Sequence, residues 1–422
     1  MPQENQNCNF QSILYLGYAL PNEFMQRIFL KDTLPSVQTN KFGWSLIRIL
    51  SKKFNTVNII SMVACQNYAI TKIPYFNYFK FSHPYGVGIN IPYLNITYIK
   101  NLSKFLSILF YILPYLYNKQ KNACAVIHGI SMPYLIIGFF LRLFGYKVLT
   151  IATDIPGVLL NTDSNIIKIA KKINLYLIKK IFSISTDAVL ALSENLVKNL
   201  NFNKSYYIIP GFLDSLAIEN AKPINLENYI SLPAKTITFA YAGGLTYEYG
   251  VQSLIEGFNL LDIENVELHL YGGGEMLEYV KSSASSNSRI KFFGFVDNLT
   301  LLKKLANVDL LMNPRKVNTI ISENSCPSKL IEYICLGVPV ATTKITSLPS
   351  DLSEYLILID GDDASSIKDA LMNFTSYSSV DRKMIGLNAQ NFLLEYLADD
   401  KIAAKITDLL KLKDNNECIV NN

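Results

Sequence analysis

Three residues near the C-terminal third, Ser328, Lys329 and Glu332, have the types and spacing to hold a nucleotide. They lie in Asn313 to Val340, NPRKVNTIISENSCPSKLIEYICLGVPV. The apolar run Val308 to Met312 reads as a buried parallel strand, which Pro314 stops. Pro327 fits the first position of a helix, where its missing amide costs nothing. Gly337 and Pro339 end that helix before the next strand. The free amides and partial positive charge of a helix N-terminus suit a phosphate, and Lys329 adds a full charge in the same turn. Glu332 follows Ser328 by four residues and shares its helix face, so its carboxylate can accept both hydroxyls of a ribose diol. An ordinary capped helix with a solvated Lys and Glu explains the same spacing.

The segment PSKLIEYICLGVPV, preceded by DLLMNPR, resembles the donor-binding core of the GT-B retaining glycosyltransferases of family 4, the group 1 glycosyltransferases. More narrowly, it is similar to members that build bacterial capsules and exopolysaccharides. The resemblance implies that Glu332 binds the nucleotide ribose and that the amides of Ser328 and Lys329 hold the donor diphosphate. It also assigns donor-side roles to Gly243 and Gly244 at the end of a strand, to the Gly274-Glu275 turn, and to Phe295 and Val296 beside the nucleobase. Two charges expected from the family are missing, since Gly244 and Tyr249 stand where Arg and Lys are usual. Arg315, Lys316 and Lys329 are candidates to compensate. Asn324, eight residues before Glu332, replaces the family's sugar-contacting Glu. Asn324 can still hydrogen-bond sugar hydroxyls, so it stays among the expected catalytic residues.

Stepping from Ile13–Leu16 onward, apolar runs alternate with helical patterns, which predicts an α/β protein. Gly17 closes the first strand at the end where ligands approach parallel sheets, and is expected on the acceptor side. His128 ends the strand Cys124–Ile127, and Asp154 follows the strand Lys147–Ala152. Either can be a simple turn or cap residue. The resemblance implies catalytic or acceptor-orienting roles for both, although the position of Asp154 often carries His in the family. Residues 63–98 lack a clear period and read as a long irregular insertion. Leu102 to Tyr117 reads as an apolar helix kinked or broken at Pro114. Asn165 to Phe182 is a basic amphipathic helix that can lie on anionic lipid or simply hold its lysines in water. Asp360-Gly361-Asp362-Asp363 has the look of a metal site, but helix capping explains it better.

The 422 residues suit two domains. We expect an acceptor-binding Rossmann-like domain at 1–214, a linker at 215–235 and a nucleotide-sugar domain at 236–395. A helix and tail at 396–422 are expected to pack back on the first domain. Two parallel sheets then face each other across a cleft. Residues 1–220 carry 21 basic and 9 acidic side chains, while the remainder carries 18 and 25. The basic half favours an anionic partner such as a membrane surface or lipid diphosphate. Six cysteines without a CxxC pair read as reduced thiols, and the polar start MPQENQNC lacks the pattern of a signal peptide. A cytoplasmic protein, peripheral on the inner membrane face, is the expectation.

The implied reaction is transfer of a sugar from a nucleotide diphosphate sugar to a saccharide or polyprenyl-linked hydroxyl, with retention. No cofactor, metal or nucleic acid is expected to take part. A GT-B sugar-nucleotide epimerase and a non-catalytic nucleotide-binding scaffold remain alternatives.

Overall fold

A computed structural model describes residues 10–32, 37–97, 99–117, 123–154, 156, 164–221 and 236–411. The polar N-terminus, Gly157, most of the expected linker and the C-terminal tail lie outside them. The chain divides into two compact units, Met1–Ile209 with Asp399–Asn422, and Pro210–Ala398.

The strands of the first unit are β1 (Phe10–Gly17), β2 (Phe54–Ser61), β3 (Tyr75–Phe76), β4 (Phe79–His83), β5 (Gly86–Asn90), β6 (Tyr93–Leu94), β7 (Cys124–His128), β8 (Lys147–Ala152), β9 (Ala188–Ala191) and β10 (Tyr206–Ile208). Eight form one sheet in the order β10-β9-β8-β7-β1-β2-β5-β4. All neighbours are parallel except the β4–β5 hairpin. Strands β7 and β9 are buried at every residue, as expected for parallel strands covered on both faces. The second unit holds β11 (Ile237–Gly244), β12 (Val266–Gly273), β13 (Ile290–Gly294), β14 (Leu310–Asn313), β15 (Val340–Thr343) and β16 (Ile357–Ile359). They form an all-parallel sheet in the order β13-β12-β11-β14-β15-β16.

Strand order reverses between β1 and β7 in the first sheet, and between β11 and β14 in the second. Open parallel sheets bind ligands at such switch points, outside the carboxyl ends of the strands. Gly17 and His128 end the first pair, and Gly244 and Asn313 the second.

Several local expectations need correction. Residues 63–98 are not wholly irregular, because the β4–β5 hairpin extends the first sheet through pairing of β5 with β2. The alternation in β4, Phe79-Lys80-Phe81-Ser82-His83, is regular but spans only five residues. The helix at Lys100–Tyr117 runs on through Pro114. Within the expected linker, Ser215–Asn220 is a helix of the second unit, capped by Asp214 through the Ala217 amide.

The C-terminal helix Asp399–Leu409 belongs to the first unit, where the Arg48 guanidinium pairs with the Asp399 carboxylate at 2.7 Å. Among the described residues no helix is long and apolar enough to cross a membrane. Cys65, Cys124, Cys326 and Cys335 are free thiols.

Candidate functional site

In the second unit, β11 and β14 pair only at Phe239–Leu310 and Ala240–Leu311. Beyond that point Tyr333, from the helix Ser328–Cys335, reaches the strand backbone. Its hydroxyl accepts from the Ala242 amide at 2.8 Å and donates to the Ala242 carbonyl at 2.9 Å. This bridge fixes the helix against the strand that ends in Gly243 and Gly244. Two residues on, Gln390 donates to the Cys335 carbonyl at 2.6 Å. The C-terminal half of the helix is thereby fixed, and its N-terminus is aimed by that packing rather than by its own short length.

Pro327 occupies the N-cap, one position earlier than its sequence suggests, and Ser328 is the first helical residue. A proline cannot cap with a side chain, so the first amides stay open. Among the described residues, the amides of Ser328 and Lys329 have no partner, while that of Leu330 bonds the Pro327 carbonyl. Ser328 is exposed and Lys329 half-buried. Glu332 is only 3% exposed, and its Oε1 accepts from Lys329 Nζ at 2.5 Å. On this helix Glu332 is thus paired with Lys329 at i,i+3.

The missing family charges have a structural counterpart. Tyr249 lies against Gly244, where an added Cβ would come within 3.0 Å of its ring. Across that ring lies the Arg315 guanidinium, 4.8 Å from the centroid. Burial pulls the Arg315 pKa below its ordinary value, with Tyr249, Cys326 and Tyr241 opposing. Arg315 Nη1 is buried without a hydrogen-bond partner. Cys326 sits immediately before the helix cap, so Arg315 lies between the glycine loop and the helix start.

Lys316, by contrast, is committed to structure. Its Nζ donates to Ser253 Oγ at 2.9 Å and to the Asp362 carbonyl at 2.7 Å, and pairs with Asp362 Oδ1. Asp362 also accepts from the Val317 amide, Asp360 pairs with Lys344, and Asp363 caps the helix Ala364–Ser376. The Asp360–Asp363 cluster thus ties down loops and a helix start.

Around this core the other expected donor residues take definite places. Tyr241 donates to the Gly244 carbonyl at 2.7 Å. Gly274 packs on the Leu245 backbone, where a Cβ would lie 2.5 Å from the carbonyl oxygen. Glu275 Oε1 accepts from the Tyr247 amide at 3.2 Å and so braces the loop after β11. Phe295 lies over Gly273 yet is 88% exposed, which leaves a ring face open for stacking. Val296 is half-buried. Asn324 ends the short helix Ile320–Asn324 and is 6% exposed.

In the first unit, His128 and Gly17 meet at the β1/β7 switch point. A Cβ on Gly17 would lie 2.8 Å from that of His128 and 2.5 Å from the Tyr15 hydroxyl. Tyr15 Oη accepts from the Tyr18 amide at 3.3 Å, which leaves its hydrogen for His128 Nδ1 at 2.8 Å. His128 is 2% exposed, with the rings of Phe42 and Tyr18 within 5.7 Å, and burial pushes its pKa down to about 3. Asp154 is exposed beyond the end of β8.

His128 gives a linkage prediction. Its folded pKa is depressed, so the unfolded chain binds the extra proton below about 6.5. Its contribution to stability is complete above that pH and is lost as pH falls toward about 3, at a slope near 1.4 kcal/mol per pH unit. Urea titrations across this range should lose that slope in His128→Gln. An unchanged slope would remove His128 as its source.

Tyr333 and Tyr241 were not legible as site residues. Their only sequence signal is a polar tip on an otherwise apolar position, which becomes informative once the strand backbone opposite is known.

Residues 236–376 match the family described as "Glycosyl transferases group 1". The fold is similar to sucrose-phosphate synthase from Thermosynechococcus elongatus, at 16% identity and TM-score 0.61, over 95% of this chain and 98% of that one. It is also similar to the E. coli structure described as trehalose-6-phosphate bound with UDP-2-fluoro glucose, at 8% identity and TM-score 0.64, over 96% and 100%. A third likeness is Anabaena HepE in complex with UDP, at 12% identity and TM-score 0.59, over 95% and 100%. No curated protein sequence matches the chain. The fold is GT-B, two Rossmann-like units each built on a parallel sheet, and the family match falls within the second unit.

Proposed function

We propose, from the group 1 glycosyltransferase domain at residues 236–376, that this protein transfers a glycosyl group from a nucleotide diphosphate sugar to an acceptor hydroxyl. The reading rests on one convergence. The open amides of Ser328 and Lys329, the unpartnered Arg315 Nη1 and the buried Glu332 belong to segments that meet at the β11/β14 switch point. Amides and a guanidinium suit a diphosphate, and a held carboxylate suits a ribose diol. Solved GT-B proteins with UDP or UDP-2-fluoro glucose bound make a uridine donor the first to try.

As the glycosidic bond breaks, negative charge grows on the leaving diphosphate. Arg315 and the helix amides are fixed donors that stabilise this charge. In this reading they do so without a metal, and the configuration at the anomeric carbon is retained. Asn324 contacts the donor sugar, and Asp154 orients the acceptor hydroxyl. His128, buried and neutral, acts by holding the Tyr15 hydroxyl, which in turn takes the Tyr18 amide.

Arg315→Gln tests the donor site directly. Loss of a charge-assisted bond to phosphate costs about 1.5–3 kcal/mol, so donor affinity should fall on the order of 10- to 100-fold. Thermal stabilisation by a panel of UDP-, GDP-, ADP- and dTDP-sugars measures this. No stabilisation by any donor would sink the reading in favour of a scaffold.

The acceptor is proposed to be lipid-linked and met at a membrane surface, in cell-surface polysaccharide synthesis. Three neighbouring helices of the first unit, Lys100–Tyr117, Met132–Leu143 and Asn165–Ser185, support this. They expose Leu106, Phe110, Phe139, Leu143, Ile169 and Ile173, each at least 40% accessible. Lysines 168, 171, 172, 179 and 180 accompany them on the last helix. Large exposed apolar surface flanked by lysine is what an anionic bilayer binds. The double substitution Phe110→Ser, Ile173→Ser should lower the partition constant for phosphatidylglycerol vesicles, measured by co-sedimentation, on the order of 30-fold or more, at about 1–2 kcal/mol per partly buried side chain. Equal sedimentation of both proteins would remove this face as the contact.

A further inference from the structure

Lys104 stands in the first unit without a counter-charge. It lies in the first turns of the helix Lys100–Tyr117, with its ammonium 4.7 Å from the Tyr93 ring centroid and 6.0 Å from that of Tyr18. Among the described residues it makes no hydrogen bond and no ion pair. The charged and titratable groups that act on it are Lys100 and Cys65. Burial first, and Lys100 second, push its pKa down to about 7. Lys100 is better provided for, since its Nζ donates to the Cys65 carbonyl at 3.0 Å and to Asn67 Oδ1 at 3.3 Å, with Asp32 nearby. The sequence supplies no local remedy, because residues 33–153 contain twelve Lys and Arg and not one Asp or Glu.

The surroundings are those of a binding site rather than of a solvated surface. Tyr18 follows the end of β1, and its ring packs edge-on against His128 and Tyr134 at the switch point. Tyr93 is held by its hydroxyl bond to the Val63 carbonyl at 2.7 Å, just past the end of β2. Lys104 therefore lies at the carboxyl edge of the first sheet, where parallel sheets take ligands. Two clustered lysines, one of them unpaired, repel each other until an anion enters.

We propose that Lys104 is the anchoring cation of an anion subsite in the first unit, and that the acceptor carries a phosphate monoester that it binds. This rests on reading the first unit as the acceptor side. The phosphate can belong to a soluble sugar phosphate, whose sugar hydroxyl then takes the glycosyl group, or to a prenyl phosphate, whose own phosphate oxygen takes the place of that hydroxyl; the phosphate is the shared group that Lys104 meets. The Tyr18 and Tyr93 rings then flank the carbon skeleton next to the phosphate.

The test uses the full chain and sulfate as the probe, because sulfate does not titrate near neutrality. Wild-type protein should bind sulfate, followed by thermal stabilisation, and Lys104→Met should weaken it on the order of 10-fold or more, with Lys104→Arg restoring most of it. The donor-side variant Arg315→Gln is the control and should keep the Lys104-dependent part. In wild type, that part should decline as pH rises from about 6 to about 8.5, as the Lys104 amine gives up its proton. This second measurement stands even where Lys104→Met fails to fold. Glucose 6-phosphate and farnesyl phosphate, compared on the same variants, then show which source binds. Sulfate binding that survives in Lys104→Met, or is lost only in Arg315→Gln, or is flat across that pH range, overturns the proposal. Loss of donor binding with an intact Lys104 response would instead count against the donor reading alone.

Discussion

Glu332→Gln is expected to abolish stabilisation by the nucleotide-sugar donor while leaving the ligand-free melt nearly unchanged. Glu332 is almost wholly buried in the second turn of a helix that is pinned by Tyr333 on one side and Gln390 on the other. Its side chain is therefore held in one place before ligand arrives, with Lys329 Nζ on Oε1. A carboxylate so held accepts two hydroxyl hydrogen bonds without a further ordering cost, whereas the amide of Gln presents only one acceptor atom. Each hydrogen bond to a charged group is worth about 1.5–3 kcal/mol, so a loss of roughly 100-fold in donor affinity is expected. Glu332→Ala should lose binding too, but it also leaves Lys329 without its partner and so mixes two effects. Lys329→Met separates them, because it removes the pair and keeps the carboxylate. Titration of the best donor from the panel into each variant is the measurement, and wild-type affinity in Glu332→Gln would refute the ribose assignment.

Gly250→Ala is expected to be the most damaging small substitution in the second unit. Gly250 is the N-cap of the helix Val251–Asn259 at φ +72°, a left-handed conformation that costs an L-residue about 1 kcal/mol or more. The larger effect is steric. A Cβ there would lie 1.7 Å from the Pro314 carbonyl oxygen, which is backbone and cannot rotate away. The loop after β14 must move, and Arg315 is the next residue along it. A destabilisation of about 3 kcal/mol or more follows, or roughly 6–12 °C in melting temperature for a unit of this size. Donor affinity should fall with it, since Arg315 shifts relative to Tyr249. Gly294→Ala is the matched control. Gly294 is also left-handed, at φ +65°, but the nearest atom to its would-be Cβ is 4.0 Å away. It should show the conformational cost alone. Similar losses in the two variants would mean that crowding against Pro314 is not the cause.

The helix start that carries the proposed donor motif was legible in the sequence because it is local. Pro327, Ser328, Lys329 and Glu332 fall within two helical turns, so spacing alone puts them on one end of one element. The buried strands were legible for a similar reason, since parallel strands covered on both faces read as unbroken apolar runs. The hairpin of β4 and β5 was not, because each strand is only five residues long, too short for its alternation to stand out among the neighbouring aromatic and proline residues.

Lys329 is taken locally, by the carboxylate three residues on, but which of the other charges are free was decided by tertiary structure. Arg315, Lys316 and Lys329 are equivalent in sequence as compensating cations, yet Asp362 takes Lys316 from 46 residues away and Glu332 takes Lys329. Arg315 keeps an unpartnered Nη1 because Tyr249 offers it only a ring face. Lys104 was invisible for the same reason. A lysine on an amphipathic helix reads as solvated until the fold shows two tyrosines around it and no carboxylate beside it. Sequence fixes the type and order of charges, but whether a charge is neutralised depends on contacts between residues far apart along the chain, and only the folded arrangement of strands and helices sets those.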